Sequence, residues 1–549
     1  MKAQLVLISV LLLLFQSCTK SLQDIVKDTE KATFIVYTYD EFGAPYGSGS
    51  GFFIKEDGTG VTNYHVLDKS VKALIKTPDG TFEIDSIIAS SKTKDIVVFK
   101  IKNSNNENFS IIDICKDKPL KGSKVYNIGS PLGLESTVSE GIVSSFREDE
   151  HGDIVQITAP ISPGSSGSPI MNEKGEVFAV ATFKRVGGEN VNFGVIISDE
   201  ILKGITTNEL LSNNSKLTSK GSEFIILNKN TEKGSDLQLN AIEFNQNATI
   251  LYLTFTNLHL SSNGEWYIWC ETGKKDAGFY IEDKSNGQRY YLTSSTLALD
   301  KGNSTPVGLA KNSKFKVYFP PISNKLSIID VMWGNDKRGS QFRNIDLNKY
   351  RQEFKVDESQ YLREYALGSL TENNNFIEAT ETLKSILQKN PSDAISLNAL
   401  GIISYVLDNN NDALKYFSDA IETNPNDELG FLNRAKVHDF QKNIELAIKD
   451  VTSAISIVPE QPDYYYERAG YYLNMKDYDK AKADLNKCFE VATESDAIRN
   501  NPYFYEIRAY VNLYTYNIEG AKTDIQIAYK LSNDDELDKR LQDIWDRLN

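Results

Sequence analysis

The chain has 549 residues, with 40% hydrophobic and 25% charged side chains and a net charge of −15. At roughly 100–200 residues per domain, this length predicts three or four domains, and the ordinary composition excludes a wholly disordered chain. The acidic excess is concentrated in residues 357–549, which hold 34 acidic and 20 basic side chains. Because such a module repels phosphate groups, nucleic acid is not expected as a partner.

The first residues have the pattern of an export signal. Lys2 precedes an apolar run from Leu5 to Phe15, which is too short to span a bilayer. The run leads to Ser17 and Cys18, and a small residue before a cysteine resembles the lipobox of bacterial lipoproteins. We therefore expect residues 1–17 to be a signal peptide and Cys18 to carry a lipid. The protein would then be an exported lipoprotein anchored to a membrane, in the periplasm or at the outer membrane. An ordinary cleaved signal with a chance cysteine is the alternative.

Residues 29–205 read as one all-β domain. Short runs rich in β-branched and aromatic residues, such as ATFIVYTYD and DIVVFKI, are separated by Gly, Asn and Asp turns. No helical periodicity competes before about Asp199. The pattern predicts an all-β barrel or sandwich.

A second all-β unit is predicted over residues 222–350, after a polar linker at 206–221. Alternating runs such as TILYLTFTNL and KFKVYF predict a sandwich of seven or so strands. His259 is its only histidine, and we expect it at the surface or at an edge. No metal-ligand cluster or nucleophile–base pair is evident in this unit.

Residues 357–549 carry an internal repeat of 34 residues. Pro391, Pro425 and Pro459 share this spacing, and the small residues Ala413, Ala447 and Ala481 repeat with the same period. A proline at a fixed place ends the second helix of each pair, and small residues allow close helix contact. The segment resembles the tetratricopeptide repeat, which implies an α-helical solenoid that binds peptides or proteins on its concave face. A purely structural spacer is the alternative. The predicted repeats are a degenerate one at 358–391, three regular ones at 392–425, 426–459 and 460–493, and a shifted fifth one with Ala509, Ala521 and Ala528, followed by a capping helix at 536–548.

Three polar residues of the first domain form a candidate catalytic set. His65 lies in VTNYHVL, Asp95 directly precedes the apolar run IVVFKI, and Ser166 lies between glycines in SPGSSGSPI. A serine hydroxyl is a poor nucleophile unless a base removes its proton, and histidine can accept that proton near neutral pH. A carboxylate fixes the imidazole tautomer, and backbone N–H groups must stabilise the oxyanion. We expect Gly164, Ser165 and Ser166 to form the oxyanion hole. No metal or cofactor is expected.

The segment around these residues resembles the protease domain of HtrA/Deg-type, trypsin-like enzymes. This resemblance implies two six-stranded β-barrels with the site between them, with His65 as the base, Asp95 as the orienting acid and Ser166 as the nucleophile. It implies polypeptide substrates, and the second β-unit and the repeats would stand where the family has a PDZ domain. The resemblance is carried by GSGFFI (49–54), VTNYHVL (61–67), DIVVFKI (95–101), GSPLGLESTVSEGIVSS (129–145), SPGSSGSPI (162–170) and NFGVIISDEI (192–201).

Two departures concern the nucleophile motif itself. The family pattern GNSGG is GSSGS in this chain, so that Ser165 replaces an asparagine and Ser168 replaces a glycine. We expect the Ser168 side chain to crowd the cleft. The leading interpretation is a membrane-tethered serine endopeptidase that acts on exported or misfolded proteins and docks substrates or partners on its repeats. The alternative is a catalytically silent scaffold whose repeats mediate protein assembly.

Overall fold

The computed structural model describes residues 21–548 except fifteen internal segments. The omitted segments are 104–106, 130–136, 150–151, 162–163, 187–188, 198–222, 232–236, 261–264, 269, 271–277, 298–304, 335–339, 353–355, 374 and 493–496. Cys18, the expected signal peptide at 1–17 and the expected linker at 206–221 all lie outside the described residues. Within these residues no helix is both long enough and apolar enough to cross a membrane.

Two closed six-stranded barrels form the first part of the chain, as the resemblance to the HtrA/Deg-type protease domain implied. The strand order is β1-β2-β3-β6-β5-β4 in one barrel and β10-β11-β12-β9-β8-β7 in the other. Their strands are β1 Thr33–Tyr39, β2 Pro45–Lys55, β3 Thr59–Thr62, β4 Lys72–Thr77, β5 Gly80–Ser91, β6 Ile96–Ile101, β7 Lys124–Gly129, β8 Thr137–Asp149, β9 Gly152–Ile157, β10 Pro169–Met171, β11 Val177–Val186 and β12 Glu189–Ile196.

Two helices in this part were not predicted. Helix α1, Leu22–Ala32, begins with a capping box in which the Ser21 side chain accepts from the Asp24 N–H. It buries Ile25 and Ala32 in the barrel core, and it crosses the expected domain start at residue 29. The strand-rich composition around it concealed the helix. The second helix is α2, Tyr64–Leu67, a single turn.

The next part is a sandwich, with a five-stranded sheet of order β13-β14-β15-β21-β19, a four-stranded sheet of order β18-β17-β22-β23 and the pair β16-β20. Side chains of the two larger sheets share one apolar core, which includes Phe315 and Ile329. The described residues hold eleven strands rather than seven or so, because several are too short to give a clear sequence signal. They are β13 Glu223–Asn230, β14 Leu237–Phe244, β15 Thr249–Thr256, β16 Glu265–Ile268, β17 Phe279–Asp283, β18 Gln288–Tyr291, β19 Ser294–Ser295, β20 Thr305–Gly308, β21 Asn312–Phe319, β22 Ile328–Trp333 and β23 Ser340–Asp346, followed by helix α3 Leu347–Gln352.

Paired helices follow, as the 34-residue period predicted. The bounds are α4 Glu358–Asn373, α5 Phe376–Lys389, α6 Ala394–Val406, α7 Asn410–Thr423, α8 Glu428–Phe440, α9 Ile444–Ile457, α10 Pro462–Asn474, α11 Tyr478–Val491, α12 Pro502–Tyr514, α13 Ile518–Leu531 and α14 Asp535–Arg547. Each of Pro391, Pro425 and Pro459 lies just beyond the second helix of a pair, where it cannot interrupt a backbone hydrogen bond. Ala509, Ala521 and Ala528 of the shifted repeat are fully buried.

A repeated ion pair joins the two helices of each later repeat. Arg434, Arg468 and Arg508 each bind an aspartate sixteen residues further along the chain. Nε and Nη2 of Arg468 donate to Oδ2 and Oδ1 of Asp484, each at 2.7 Å. Arg434 and Arg468 also reach back to a hydroxyl of the preceding repeat. These planar two-point contacts fix the packing of neighbouring helices.

The sandwich and the repeats belong to one compact unit. The Asn433 side chain on α8 is 1% exposed and forms two hydrogen bonds with the sandwich. Its Nδ2 donates to the Leu258 carbonyl at 2.9 Å, and its Oδ1 accepts from the Leu260 N–H at 3.0 Å. The same docking buries His259, so the prediction of a surface or edge position for this histidine was wrong.

Candidate active site

His65 and Asp95 meet because the strands beside them pair. Strand β3 ends at Thr62, which lies opposite Val97 of β6, so the residues that follow β3 lie beside the residue that precedes β6. The Nδ1 of His65 lies 2.8 Å from Oδ2 and 3.0 Å from Oδ1 of Asp95. The backbone N–H of His65 also donates to Asp95 Oδ1 at 2.9 Å. The ring is half exposed, whereas the carboxylate is 17% exposed. Because Asp95 engages Nδ1, Nε2 is the ring nitrogen left for proton transfer.

Two further residues hold Asp95. Its backbone is left-handed, with φ of 49°, a conformation that Asp tolerates better than bulkier residues. Buried Asn63 donates from Nδ2 to the Asp95 carbonyl at 2.8 Å, and Thr182 donates from Oγ1 to Asp95 Oδ2 at 3.1 Å. Sequence reasoning did not single out either residue for this role. Asn63 lies within the VTNYHVL motif, but Thr182 is 87 positions from Asp95 and gives no local signal.

The Ser166 loop is a tight bend that only glycine permits at two places. Gly164 and Gly167 have φ of 89° and 93°, in the left-handed region. A Cβ on Gly167 would lie 2.0 Å from the Ser50 carbonyl oxygen. The loop is anchored to both barrels, since the Ser50 N–H donates to the Ser166 carbonyl at 2.7 Å and the Gly167 N–H donates to the Ala181 carbonyl at 2.9 Å.

The Ser166 backbone lies close to residues that neighbour His65 and Asp95. Gly49 lies between the Ser166 backbone and Val66, the residue after His65, because a Cβ on Gly49 would be 3.1 Å from the Ser166 carbonyl and 2.7 Å from a Val66 methyl group. On the other side, Thr182 contacts Asp95 and directly follows Ala181, to which the Ser166 loop is bonded. Residues 101 positions apart thus converge between the two barrels.

Backbone N–H groups of the Ser166 loop are available as donors. The Ser50 hydroxyl donates to the Gly164 carbonyl at 2.9 Å, and the Ser168 N–H donates to the Ser165 carbonyl at 3.0 Å. Since the C=O and N–H of a peptide unit point in opposite directions, the N–H groups of Ser165 and Ser166 point away from these anchors. In the described part of the chain, neither these N–H groups nor that of Gly164 donate to a protein acceptor.

Ser168 does not crowd the cleft, contrary to the expectation from its departure from GNSGG. Its side chain is 0% exposed and lies behind the loop, next to Gly129. Its hydroxyl accepts from Nδ2 of buried Asn127 at 2.7 Å, and the same Nδ2 donates to the Pro169 carbonyl at 3.1 Å. The extra hydroxyl therefore ties the nucleophile loop to β7.

Comparisons with known proteins agree with this geometry. Residues 49–180 match the trypsin-like peptidase domain, and residues 462–494 match the tetratricopeptide repeat. The chain is 36% identical over 151 residues to a DegP-like periplasmic serine endoprotease of Bartonella henselae, which covers 26% of this chain and 30% of that protein. It is 32% identical over 188 residues to serine protease HTRA1 of Xenopus tropicalis, which covers 33% and 39%.

The similarity is confined to one part of each chain. With Protease Do-like 1 of Arabidopsis thaliana, 32% identity extends over 155 residues, or 27% of this chain and 35% of that protein. The chain thus spans about a third of the length of these curated relatives. A serine endoprotease structure from Yersinia pestis has 27% identity and a TM-score of 0.29, covering 32% of this chain and 62% of that one. The chain contains a trypsin-like peptidase domain related to the HtrA/DegP serine proteases, and a tetratricopeptide repeat lies in its C-terminal part.

Proposed function

We propose that this protein is a serine endopeptidase with His65, Asp95 and Ser166 as its catalytic triad. The proposal depends on the His65–Asp95 pair, in which Nδ1 of His65 lies within hydrogen-bond distance of both carboxylate oxygens. This pair lies close to the Ser166 loop, which is flanked by glycines and held by backbone hydrogen bonds. The order of the three residues, their convergence from two barrels and the peptidase-domain match all support the same reaction.

The geometry suits acyl transfer to a serine. His65 Nε2 removes the proton of the Ser166 hydroxyl as Oγ attacks the scissile carbonyl carbon. Asp95 holds Nδ1–H and stabilises the imidazolium that forms. The N–H groups of Gly164, Ser165 and Ser166 stabilise the oxyanion, and each such donor contributes roughly 10²–10³ in rate. His65 returns the proton to the leaving amine. Water then attacks the acyl-enzyme, and His65 takes a proton from this water and returns it to Ser166 Oγ as the acyl group leaves.

The substrates in this proposal are exported or misfolded proteins, and the repeats dock substrates or partners. Lipidation at Cys18 tethers the enzyme to a bacterial membrane, in the periplasm or at the outer membrane. Metabolic labelling with a fatty-acid probe tests the tether: label on the wild-type protein that disappears in Cys18→Ala supports it. Equal labelling of the two would contradict lipidation at this residue.

Hydrolysis of unfolded casein by residues 19–549 tests the proposed reaction. The wild-type chain should cleave casein, and Ser166→Ala should not. The matched control is Ser86→Ala on β5, which removes an exposed serine hydroxyl away from the three triad residues and should retain activity. No cleavage by folded wild-type protein would favour the silent scaffold instead.

A further inference from the structure

Part of the repeat surface is already occupied by this chain. Asn433 of α8 binds the backbone of Leu258 and Leu260 through both ends of its side-chain amide, as a neighbouring strand would. In helix α6 of the preceding repeat, every residue from Ser396 to Ser404 is buried. An external partner therefore has no access to the surface of α8 around Asn433 while the sandwich is bound there.

A second surface of the repeats is exposed and apolar. We define the turn edge as the last four of the five turns between paired helices, residues 405–412, 439–446, 473–480 and 513–520. These turns occupy the same position in successive repeats, so they lie along one edge of the stack. Ring contacts link neighbouring turns, since Tyr405 packs on Phe440 at 6.0 Å and Tyr478 stacks on Tyr514 at 4.5 Å. The exposed apolar residues of the turn edge are Val406, Leu407, Phe440, Leu446, Met475, Tyr514, Tyr516 and Ile518.

Tyr516 has no structural reason to be tyrosine. Its φ is 55°, and the equivalent turn residues Asp408, Lys442 and Lys476 have φ of 60°, 64° and 59°. The turn thus requires a left-handed residue in each repeat, which disfavours a bulky side chain. Tyr516 is nevertheless 90% exposed, so its ring adds almost nothing to packing. A large aromatic ring in solvent at a strained position points to a surface that binds something.

The charge of the turn edge selects its partner. It holds seven carboxylates and three lysines, and among the described residues six of the seven carboxylates form no ion pair. An anionic lipid surface and a second copy of this acidic edge would both be repelled. A cationic chain fits, because its arginine or lysine side chains can contact carboxylates and also lie over the faces of Phe440, Tyr514 and Tyr516.

We propose that the turn edge binds a basic, extended polypeptide segment in which Arg or Lys residues are interspersed with apolar ones. Apolar side chains of the segment cover the row from Leu407 to Tyr516, while its cations pair with the exposed carboxylates of the turns. The segment runs across successive repeats, so each repeat adds a similar contribution to binding. This surface does not overlap the face of α8 that Leu258–Leu260 occupies.

Fluorescence anisotropy with a labelled peptide of five Arg-Ser-Leu units tests the proposal. Residues 19–549 carrying Ser166→Ala are used, so that binding is measured without cleavage and independently of the proposed protease activity. We expect saturable binding that weakens as salt is raised. The matched peptide with Glu in place of Arg should bind at least tenfold more weakly. Equal binding of the two peptides, or no binding of the Arg peptide, would overturn the proposal.

Surface variants separate binding from folding. Phe440→Ser with Tyr516→Asn should weaken binding of the Arg peptide at least tenfold. Because Asn adopts positive φ more readily than Tyr, Tyr516→Asn alone should leave the thermal midpoint equal or higher while it weakens binding. The matched control is Leu120→Ser, which removes an 80% exposed apolar side chain outside the repeats and should leave binding unchanged. Unchanged binding in the Phe440/Tyr516 variant would contradict the turn edge as the site.

Two further arms test the rival occupants. In one experiment residues 19–549 are mixed with phosphatidylglycerol vesicles and the bound protein is measured. In the other the mass of the protein alone is measured by sedimentation velocity. We expect no vesicle binding that depends on Tyr516 and no dimer that dissociates in the Phe440/Tyr516 variant. Vesicle binding or dimerisation lost in that variant would assign the surface to a membrane or to a second copy and overturn the basic-segment proposal.

Discussion

In both the peptidase barrels and the repeats, a carboxylate accepts hydrogen bonds from several donors, but the two arrangements differ in what they hold in place. Asp95 receives three different groups, the His65 ring, the His65 N–H and the Thr182 hydroxyl, and the ring it holds remains half exposed. Asp450, Asp484 and Asp524 each receive a guanidinium from sixteen residues earlier, and those pairs are largely buried. Among the described residues the first arrangement is found around Asp95 and leaves the His65 ring accessible, whereas the second recurs in three repeats and fixes helix packing.

The difference shows what each kind of site demands of the chain. A catalytic set needs unlike residues brought together from distant positions. The proposed set also includes backbone strain, since Asp95 is left-handed. A structural pair needs only a fixed spacing within one repeat, so the same solution can be used again. Substitutions in the two regions should therefore separate activity from stability.

The largest expected effect is on catalysis by the barrels. In Asp95→Asn an amide replaces the carboxylate that fixes the His65 tautomer and stabilises its charged form. We expect kcat for casein hydrolysis to fall about 10⁴-fold with little loss of thermal stability. The control is Asp57→Asn on the same barrel, which removes an exposed partner of Lys100 and should leave kcat unchanged. Equal loss in both variants would mean that the rate reports on folding rather than on the triad.

The next effect is on the stability of the repeats. The Asp484 side chain is only 8% exposed. Arg468→Leu therefore leaves this carboxylate buried without its cation. We expect the free energy of unfolding of the helical region to fall by about 3–5 kcal/mol, measured by urea denaturation with far-UV circular dichroism. The double variant Arg468→Leu/Asp484→Leu should regain much of this loss. At temperatures well below unfolding, casein hydrolysis should be unaffected, and a parallel loss of kcat would contradict the separation of roles.

A smaller effect is expected at Ser168, whose buried hydroxyl forms a structural hydrogen bond next to the Ser166 loop. Ser168→Gly removes the hydroxyl that accepts from Asn127, while the Asn127 bond to the Pro169 carbonyl remains. We expect a loss of about 1 kcal/mol in stability and only a minor change in kcat. Thermal denaturation and casein hydrolysis measure the two quantities. A large rise in activity would show instead that the Ser168 side chain hinders the cleft.

The smallest effect is a pH dependence in the repeats. Burial lowers the pKa of His438 on α8 below its usual 6.5, against the opposing influence of Asp450. The neutral His438 ring therefore contributes to stability at pH values above the pKa it has in the unfolded chain. This contribution is lost as the pH falls through the folded pKa, because in this range the unfolded chain binds the proton more readily than the folded one. In His438→Gln the fall in urea midpoint between about pH 7 and pH 5 should be smaller than in wild type. An unchanged fall would show that other groups account for it.

The fold was predicted where the chain repeats a simple pattern. Runs rich in β-branched and aromatic residues indicated two all-β units, and the resemblance to HtrA/Deg-type proteases implied the two six-stranded barrels. The spacing of Pro391, Pro425 and Pro459 indicated the helical pairs. Helix α1 was missed because eleven residues beside strands give a weak periodic signal. The burial of His259 was missed because it depends on docking against Asn433, 174 positions away, which no local pattern encodes.

The candidate site was predictable as far as its motifs extend. His65, Asp95 and Ser166 each lie in a recognisable segment. The structure pairs His65 with Asp95, and the role of Ser166 stays a prediction. The supporting residues Thr182 and Asn127 act through tertiary contacts, so their roles follow only from strand pairing and loop anchoring. The Ser168 prediction was wrong for the same reason, because a motif does not tell on which side of the loop a side chain lies.

The central claim is that Ser166 is a nucleophile activated by the His65–Asp95 pair. The most direct measurement is mass spectrometry of residues 19–549 after reaction with a fluorophosphonate probe near neutral pH. We expect one adduct per chain, located on the peptide that contains Ser166, and its formation should be much slower in His65→Ala. An intact, folded protein with no adduct, or an adduct on a different serine, would contradict the assignment.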